Sequence, residues 1–375
     1  MKQVKMDQKI EQGTMQAVAV EPGKPQSGRL IKIPRPSPNE EEVLVKVFSI
    51  GIDGTDVEID QAEYGEAPKG ERYLVIGHES LGKVISVGKE VKDFKAGEWV
   101  VATVRRPDDC DYCRTDRQDF CVTGNYTERG IKGAHGFLSE YYTEQPKYLI
   151  KVPEALGESG VLIEPLSIVE KGIRQAWTLQ KRLGEWRPKK VLILGAGPIG
   201  LMAAMLTRLK EVETIVYAKD ANATLAEIVS QIGATYLSLE QPNDQTLPLD
   251  QLAGRYGPFD FILEATGSEK VAFGAMEMIG LNGVLCLTSV TGGEKTLEIS
   301  ISRLNLGLVL GNRTVFGTVN ASRIDFEEGV KDLLVTKERW PGWLERLITR
   351  RVSMADFRQA FERKPGDLKV IVEVK

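Results

Sequence analysis

The stretch at residues 190–200, K-V-L-I-L-G-A-G-P-I-G, constrains this chain more than any other. Residues 191–194 are an apolar run too short for a helix, and residues 201–209, rich in Leu, Met and Ala, read as a helix. Between them stand Gly195, Gly197 and Gly200, with Pro198 and Ile199 opening the helix. Glycines at this spacing permit a tight turn and a close approach of backbone amides to a pyrophosphate. They also let the helix pack on its strand with its positive end toward the phosphates. The pattern predicts a dinucleotide site in which these five residues meet the cofactor.

Further strand-like runs at residues 214–218, 259–263, 283–287 and 313–317, with helical stretches between them, extend this unit into a doubly wound parallel sheet. Asp220 stands twenty residues after Gly200, at the end of the second strand, where an acid holds the ribose diol of NAD and repels a 2′-phosphate. Lys219 precedes it, and a strand end shifted by one residue would put that cation at the discriminating position and admit NADP. NAD is therefore the expected cofactor, with NADP left open.

At 375 residues the chain exceeds the roughly 250–300 that a single core sustains, so a second domain is expected. From Met15 onward, short β-type segments such as residues 16–20 and 42–51 alternate with Pro and Gly clusters, whereas residues 1–13 are polar and read as a mobile extension. A net charge of -4 with mixed signs and no basic stripe argues against a nucleic-acid partner. No apolar run reaches the roughly 18 residues of a membrane span, and the first residues do not read as an export signal. The expectation is a cytoplasmic protein without a membrane partner.

Only two histidines occur in the sequence. His78 follows an apolar strand and adjoins Glu79, while Asp53 sits on an earlier tight turn. Such residues can converge as N and O ligands of zinc, although an isolated histidine after a strand also serves as a structural residue. Thr55, two residues past Asp53, has a hydroxyl that can donate and accept, as a proton relay requires, or can simply bond its own turn. Glu164 interrupts an apolar run just before a helix, so a cation or a hydrogen-bonding partner is expected beside it.

Cys110, Cys113 and Cys121 follow a C-x2-C-x7-C pattern, and Asp116 falls where a third, equally spaced cysteine would stand. A structural zinc with three sulfurs and one oxygen, and a metal-free thiol lobe, are both open. Cys286 lies in an apolar run and reads as a reduced core thiol. Glu128 and Asn125 occupy a Gly-bounded polar loop suited to a polyhydroxylated ligand or to solvent, and His135 reads as structural.

Taken in order, the β-rich first region, Gly77-His78-Glu79, the cysteine lobe, Glu164-Pro165 before the central helix and G-A-G-P-I-G resemble the zinc-dependent medium-chain alcohol dehydrogenase superfamily over nearly the whole chain. Within it, G-I-D-G-T-D at residues 51–56, Val104-Arg105-Arg106, Asp119-Phe120-Cys121, Pro146-Lys147-Tyr148-Leu149 and Val319-Asn320 look most like the archaeal-type glucose dehydrogenases. The resemblance implies an α/β fold with two domains. A GroES-like β-rich catalytic domain spans residues 1–168 and 323–375, and a Rossmann dinucleotide-binding domain spans residues 169–322, the last strand returning to the first domain.

It further implies oxidation of an aldose such as glucose at its anomeric hydroxyl to the lactone, with hydride passing to NAD or NADP. Asp53, His78, Glu79 and Glu164 would surround a catalytic zinc. Glu128 and Asn320 would touch the sugar, with Glu164 beside it and Asn320 also next to the cofactor. A homo-oligomer, dimer or tetramer, is expected. Asp53 stands where the wider superfamily has a cysteine, which makes the metal site harder. The alternatives are a zinc enzyme for polyols or simple alcohols and, from another class, a non-enzymatic NAD(P)-binding sensor.

Overall fold

The computed structural model describes residues 13–240, 246–290, 292, 294 and 296–374. Apart from Gly13, the extension expected at residues 1–13 lies outside the described residues. Six parallel strands, Lys190–Leu194, Glu213–Ala218, Thr235–Ser238, Phe259–Glu264, Ile279–Leu287 and Thr314–Gly317, form one sheet in the order third, second, first, fourth, fifth, sixth. The order reverses beside Lys190–Leu194, where doubly wound folds open a crevice for ligands. Inner strands such as Lys190–Leu194 and Phe259–Glu264 are apolar on both faces, as a parallel sheet covered on both sides requires. The doubly wound sheet expected from sequence is present, with one strand more than the sequence announces. Thr235–Ser238 is a four-residue edge strand in which only Ser238 is buried, so no apolar run marks it.

The second sheet runs Leu149–Val152, Trp99–Ala102, Glu79–Val87, Val43–Ile52, Lys369–Glu373, Ile348–Ser353, and Tyr141–Glu144 also pairs with Val43–Ile52. Lys369–Glu373 lies antiparallel to Val43–Ile52 with Val370 opposite Ile52, so the end of the chain completes a sheet begun near its start. The helix Ile163–Gln180 joins the two halves. Its Ile163, Leu166, Val169 and Ile173, at helical spacing, share one core with Leu81 and Val101 of the second sheet and Val191 and Phe261 of the first. Trp343, fully buried, donates its indole N–H to Ile228 O at 2.9 Å and fastens the C-terminal segment to the nucleotide half. Truncating such a residue costs about 3–5 kcal/mol. Among the described residues no helix is long and apolar enough to cross a membrane.

Candidate active site and metal clusters

The strand Val43–Ile52 runs into Asp53, which caps the short helix Gly54–Asp60. Its Oδ1 accepts the amides of Thr55 at 2.8 Å and Asp56 at 3.3 Å, and Asp56 Oδ2 accepts the Asp53 amide at 3.3 Å. This reciprocal box fixes the Asp53 carboxylate. Its Oδ2 takes the Thr55 hydroxyl at 3.2 Å and stands 3.7 Å from His78 Nε2. His78 and Glu79 sit at the start of the strand Glu79–Val87, and Glu164 lies in the first turn of Ile163–Gln180; all three are buried. One donor atom each from His78, Glu79 and Glu164 lie within 4.8 Å of one another, and the same holds for Asp53, Asp56 and His78. The four ligand candidates thus gather about one histidine. Glu79 fits beneath Val43–Ile52 only because residue 51 is glycine, since a Cβ there would stand 1.9 Å from Glu79 Oε2.

Lys369 is the member the sequence does not disclose. Its Nζ lies 2.7 Å from both carboxylate oxygens of Glu79, across a separation of 290 residues, and both side chains are buried. Burial lifts Glu164 to about 8, with His78 opposing and Glu79 and Asp53 adding to the rise. Glu79 is also raised by burial, held back by Lys369. Burial works against ionisation of Asp53 too, but His78 and Lys369 outweigh it and hold that carboxyl well below the usual range. The same partners act on His78, where burial is overcome by Asp53 and Asp56 and the imidazole stays charged well above its ordinary pKa.

Four carboxyl groups therefore face one histidine and one lysine. A divalent cation relieves such an excess, and Glu164 is the carboxyl most in need of one. His78 Nδ1 is buried without a hydrogen-bond partner, and Asp56 Oδ1, 3.8 Å away, is placed to take its proton when Nε2 serves as a ligand. The residues fit zinc held by nitrogen and oxygen alone. Asp56, absent from the sequence-derived set, has the D-x-x-D capping spacing as its only sequence signal.

The cysteine lobe forms a second cluster, with a correction. The sulfurs of Cys110, Cys113 and Cys121 gather with the carboxylate of Asp108, not with that of Asp116. Asp116 caps the 3-10 turn Cys113–Thr115 in the left-handed region, φ 57°, and is exposed. Asp108 turns inward because its Oδ1 accepts the Cys110 amide at 2.8 Å while Oδ2 accepts the Thr123 hydroxyl and, at 3.2 Å, the Cys121 thiol. The Thr123 bond leads in holding Asp108 well below the carboxylate range; burial and then Asp108 push Cys113 up to about 12.

Glu128, almost buried in the strand Thr127–Arg129, accepts at Oε1 from Arg105 Nε and from Asn320 Nδ2, both at 3.0 Å. Two residues 192 positions apart are thereby brought together. Among the described residues the other carboxylate oxygen of Glu128 takes no hydrogen bond, so it is open to a ligand hydroxyl. His135 is structural, as expected. Its Nδ1 accepts the Val75 amide at 3.2 Å, its Nε2 faces Glu71 at 2.9 Å, and the ring stacks on Tyr73.

At the glycine turn, Gly195 has φ 106° and a Cβ on it would meet Ala265 O at 2.7 Å, while one on Gly200 would meet Gly195 O at 2.0 Å. A Cβ on Gly197 would meet nothing within 4 Å, so the face a pyrophosphate approaches is open. Gly197 caps the 12-residue helix Pro198–Leu209 without a side-chain bond, which leaves its first amides for an anion, and Ile199 packs on the core beneath. Lys219 and Asp220 both line a cavity of about 430 Å³, with Gly197, Asn222, Tyr236 and Arg363. Arg363 arrives from the C-terminal segment, too remote in sequence to be anticipated. A larger recess, about 960 Å³ and lined by residues such as Glu41, Phe94 and Lys147, contains none of the metal-cluster or glycine-turn residues.

Comparison with known proteins shows which family the chain matches. The family described as Glucose dehydrogenase C-terminus matches residues 157–374, and the Alcohol dehydrogenase GroES-like domain matches residues 39–154. The chain is 44% identical over 363 residues to a glucose 1-dehydrogenase of Methanocella arvoryzae, covering 96% of this chain and 99% of that one. It is 38% identical over 362 residues to a glucose 1-dehydrogenase of Vulcanisaeta moutnovskia, with 96% and 99% covered. The solved structure of Haloferax mediterranei glucose dehydrogenase in complex with NADP, Zn and gluconolactone superposes with a TM-score of 0.86 at 32% identity, covering 96% of this chain and 99% of that one.

Proposed function

The chain belongs to the glucose dehydrogenase family of the zinc-dependent medium-chain alcohol dehydrogenase superfamily, and we propose that Asp53, His78, Glu79 and Glu164 hold its catalytic zinc while Glu128 and Asn320 receive the sugar. Its reaction is the NAD(P)-dependent oxidation of glucose at the anomeric hydroxyl to the lactone. The observation that carries the residue assignment is the gathering of those acids around a histidine whose Nδ1 takes no hydrogen bond, four carboxyl groups with Asp56 included standing against two basic side chains.

Bound there, zinc supplies Lewis-acid polarisation that lets the sugar hydroxyl lose its proton near neutral pH. Thr55, bonded to Asp53 at 3.2 Å, offers the first hydroxyl on that proton's way out. Asp56 sets the ring of His78, and Lys369 opposes the rise that burial imposes on Glu79. The free oxygen of Glu128 accepts a sugar hydroxyl, and a simple alcohol would leave it unpaired, which is the basis for rejecting such substrates. Gly195, Gly197, Pro198, Ile199 and Gly200 cradle the pyrophosphate; Asp220 suits the diol of NAD, and Lys219 with Arg363 suits the 2′-phosphate of NADP. Asp108, Cys110, Cys113 and Cys121 hold a second, structural zinc.

The catalytic unit comprises residues 1–168 and 323–375 and the nucleotide unit 169–322, a division supported by the last strand's place in the second sheet. The enzyme is a homo-oligomer, dimer or tetramer. Thr314–Gly317 is an open sheet edge, and Ile301–Leu310 just before it buries none of its residues, leaving Ile301, Leu306, Val309 and Leu310 for a second copy to cover. A cytoplasmic setting is supported by four unpaired cysteines. A panel of aldoses and simple alcohols with both nucleotides tests the substrate. Glucose or galactose should exceed ethanol, cyclohexanol and benzyl alcohol by orders of magnitude in kcat/KM, and Glu128→Ala should narrow that gap at unchanged zinc content. Equal turnover of simple alcohols would return the chain to a general alcohol dehydrogenase.

A further inference from the structure

The helix Ile163–Gln180 carries Glu164 in its first turn and Lys171 seven residues later, about 10 Å further along on the same face. Lys171 is 1% exposed, yet nothing in the chemistry above uses it. Its ammonium donates to Val319 O at 2.8 Å and Asp119 O at 3.2 Å, and stands 3.1 Å from Asp119 Oδ2; the Asp119 side chain is buried completely. Taking an ammonium out of water is costly unless partners of this kind surround it, and an apolar side chain would pack the same space without that cost.

The contacts close a ring. Val319 precedes Asn320, which donates to Glu128 Oε1; that oxygen also accepts from Arg105, whose Nη1 donates to Gln118 O at 3.3 Å, and Gln118 precedes Asp119. Asn320 has a left-handed backbone, φ 59°, a conformation uncommon outside glycine and one that its neighbours must hold. Its Oδ1 is engaged by the Ala321 amide at 2.8 Å, which aims Nδ2 at Glu128. Lys171 grips the carbonyl immediately before this residue. Asp119, at the other side of the ammonium, lies two residues from Cys121 of the lobe cluster.

We propose that Lys171 is a positioning residue for the sugar pair, fixing Val319–Asn320 against Glu128 and tying that pair through Asp119 to the cysteine lobe. This rests on the reading that Glu128 and Asn320 contact the sugar. The consequence is that the free oxygen of Glu128 is correctly aimed only while Lys171 holds both loops, so substrate binding suffers before chemistry does.

The test compares glucose kinetics, thermal stability, nucleotide affinity and zinc content for Lys171→Met, Lys171→Met/Asp119→Asn and Glu128→Gln. Lys171→Met should raise KM for glucose about tenfold or more while kcat stays within about threefold and nucleotide affinity and zinc content are unchanged. The double variant leaves no buried charge unpaired, so it should regain stability but keep the raised KM; it is also the deciding protein if the single variant does not fold. Recovery of KM together with stability, or a joint fall of kcat and nucleotide affinity, would overturn the inference and leave Lys171 as support for the fold. An unchanged KM in Glu128→Gln would remove the sugar role and this inference with it. A raised KM in Glu128→Gln beside a normal KM in Lys171→Met would overturn the positioning alone.

Discussion

The cluster around His78 and the cluster in the cysteine lobe offer equal numbers of ligands and nearly opposite physics. The first is assembled from strand and helix ends that the two cores hold in place, most of it is buried, and its four carboxyl groups outnumber its two basic side chains. The second lies in short turns whose flanking Tyr112, Arg114 and Asp116 are exposed, and one of its thiols, Cys113, is pushed up to about 12. A preorganised site keeps its shape without an ion and can put the ion's charge to use. A lobe of short turns takes its order from the ion it binds, Cys113 releasing a proton as it does. On the proposed assignment, catalysis belongs to the first cluster and local architecture to the second.

His78→Ala is the harshest test of that contrast. It should lower kcat/KM by about a thousandfold or more, some 4 kcal/mol of transition-state stabilisation, while circular dichroism stays that of the parent. A comparable loss of kcat/KM from Cys113→Ser would erase the distinction. Because Glu164, lifted to about 8, and His78, held protonated above its ordinary range, must each give up a proton to bind a cation, zinc affinity of the metal-free protein should climb with pH through neutrality. A flat profile would take Glu164 out of the ligand set.

Lys369→Met should come next in size. It strands Glu79 in a buried place, and loss of one partner from such a pair costs about 3–5 kcal/mol, read by denaturant unfolding. Adding Glu79→Gln should restore most of the loss. In the lobe, Asp108→Ala should release the second equivalent of zinc and Asp116→Ala should retain it; the opposite result would reinstate Asp116.

The smallest expected effect comes from a buried acid outside both clusters. Glu170, on the central helix and beside Asp332, is lifted to about 9, by burial first and Asp332 second. Its folded pKa lies above its unfolded one, so its contribution is complete in acid and disappears as pH rises from about 4 to about 9. Glu170→Gln should therefore flatten the decline of Tm with pH, by a few degrees at pH 9 and not at all near pH 4, whereas equal declines would mean that Glu170 is ionised throughout.

What the sequence discloses follows from how local each feature is. The glycine turn is written in eleven consecutive residues and the capping Asp53 in a tight turn, so both are legible. Glu164 stands out as an acid within an apolar run. Cysteine spacing points to Asp116 and carries no sign of Asp108, whereas the structure selects Asp108 through one amide bond to Cys110 and a left-handed turn at residue 116. Lys369, Arg363 and the ring through Lys171 depend on segments far apart in the chain meeting in the fold, which no local pattern carries.

The most direct test is zinc K-edge absorption on protein carrying Cys110→Ser, Cys113→Ser and Cys121→Ser together, with glucose oxidation measured on the same sample at saturating substrate. One equivalent of zinc in a shell of nitrogen and oxygen only, with kcat close to that of the parent, is the expected result. Zinc-free protein, or zinc retained without turnover, would contradict the assignment of the catalytic metal to Asp53, His78, Glu79 and Glu164.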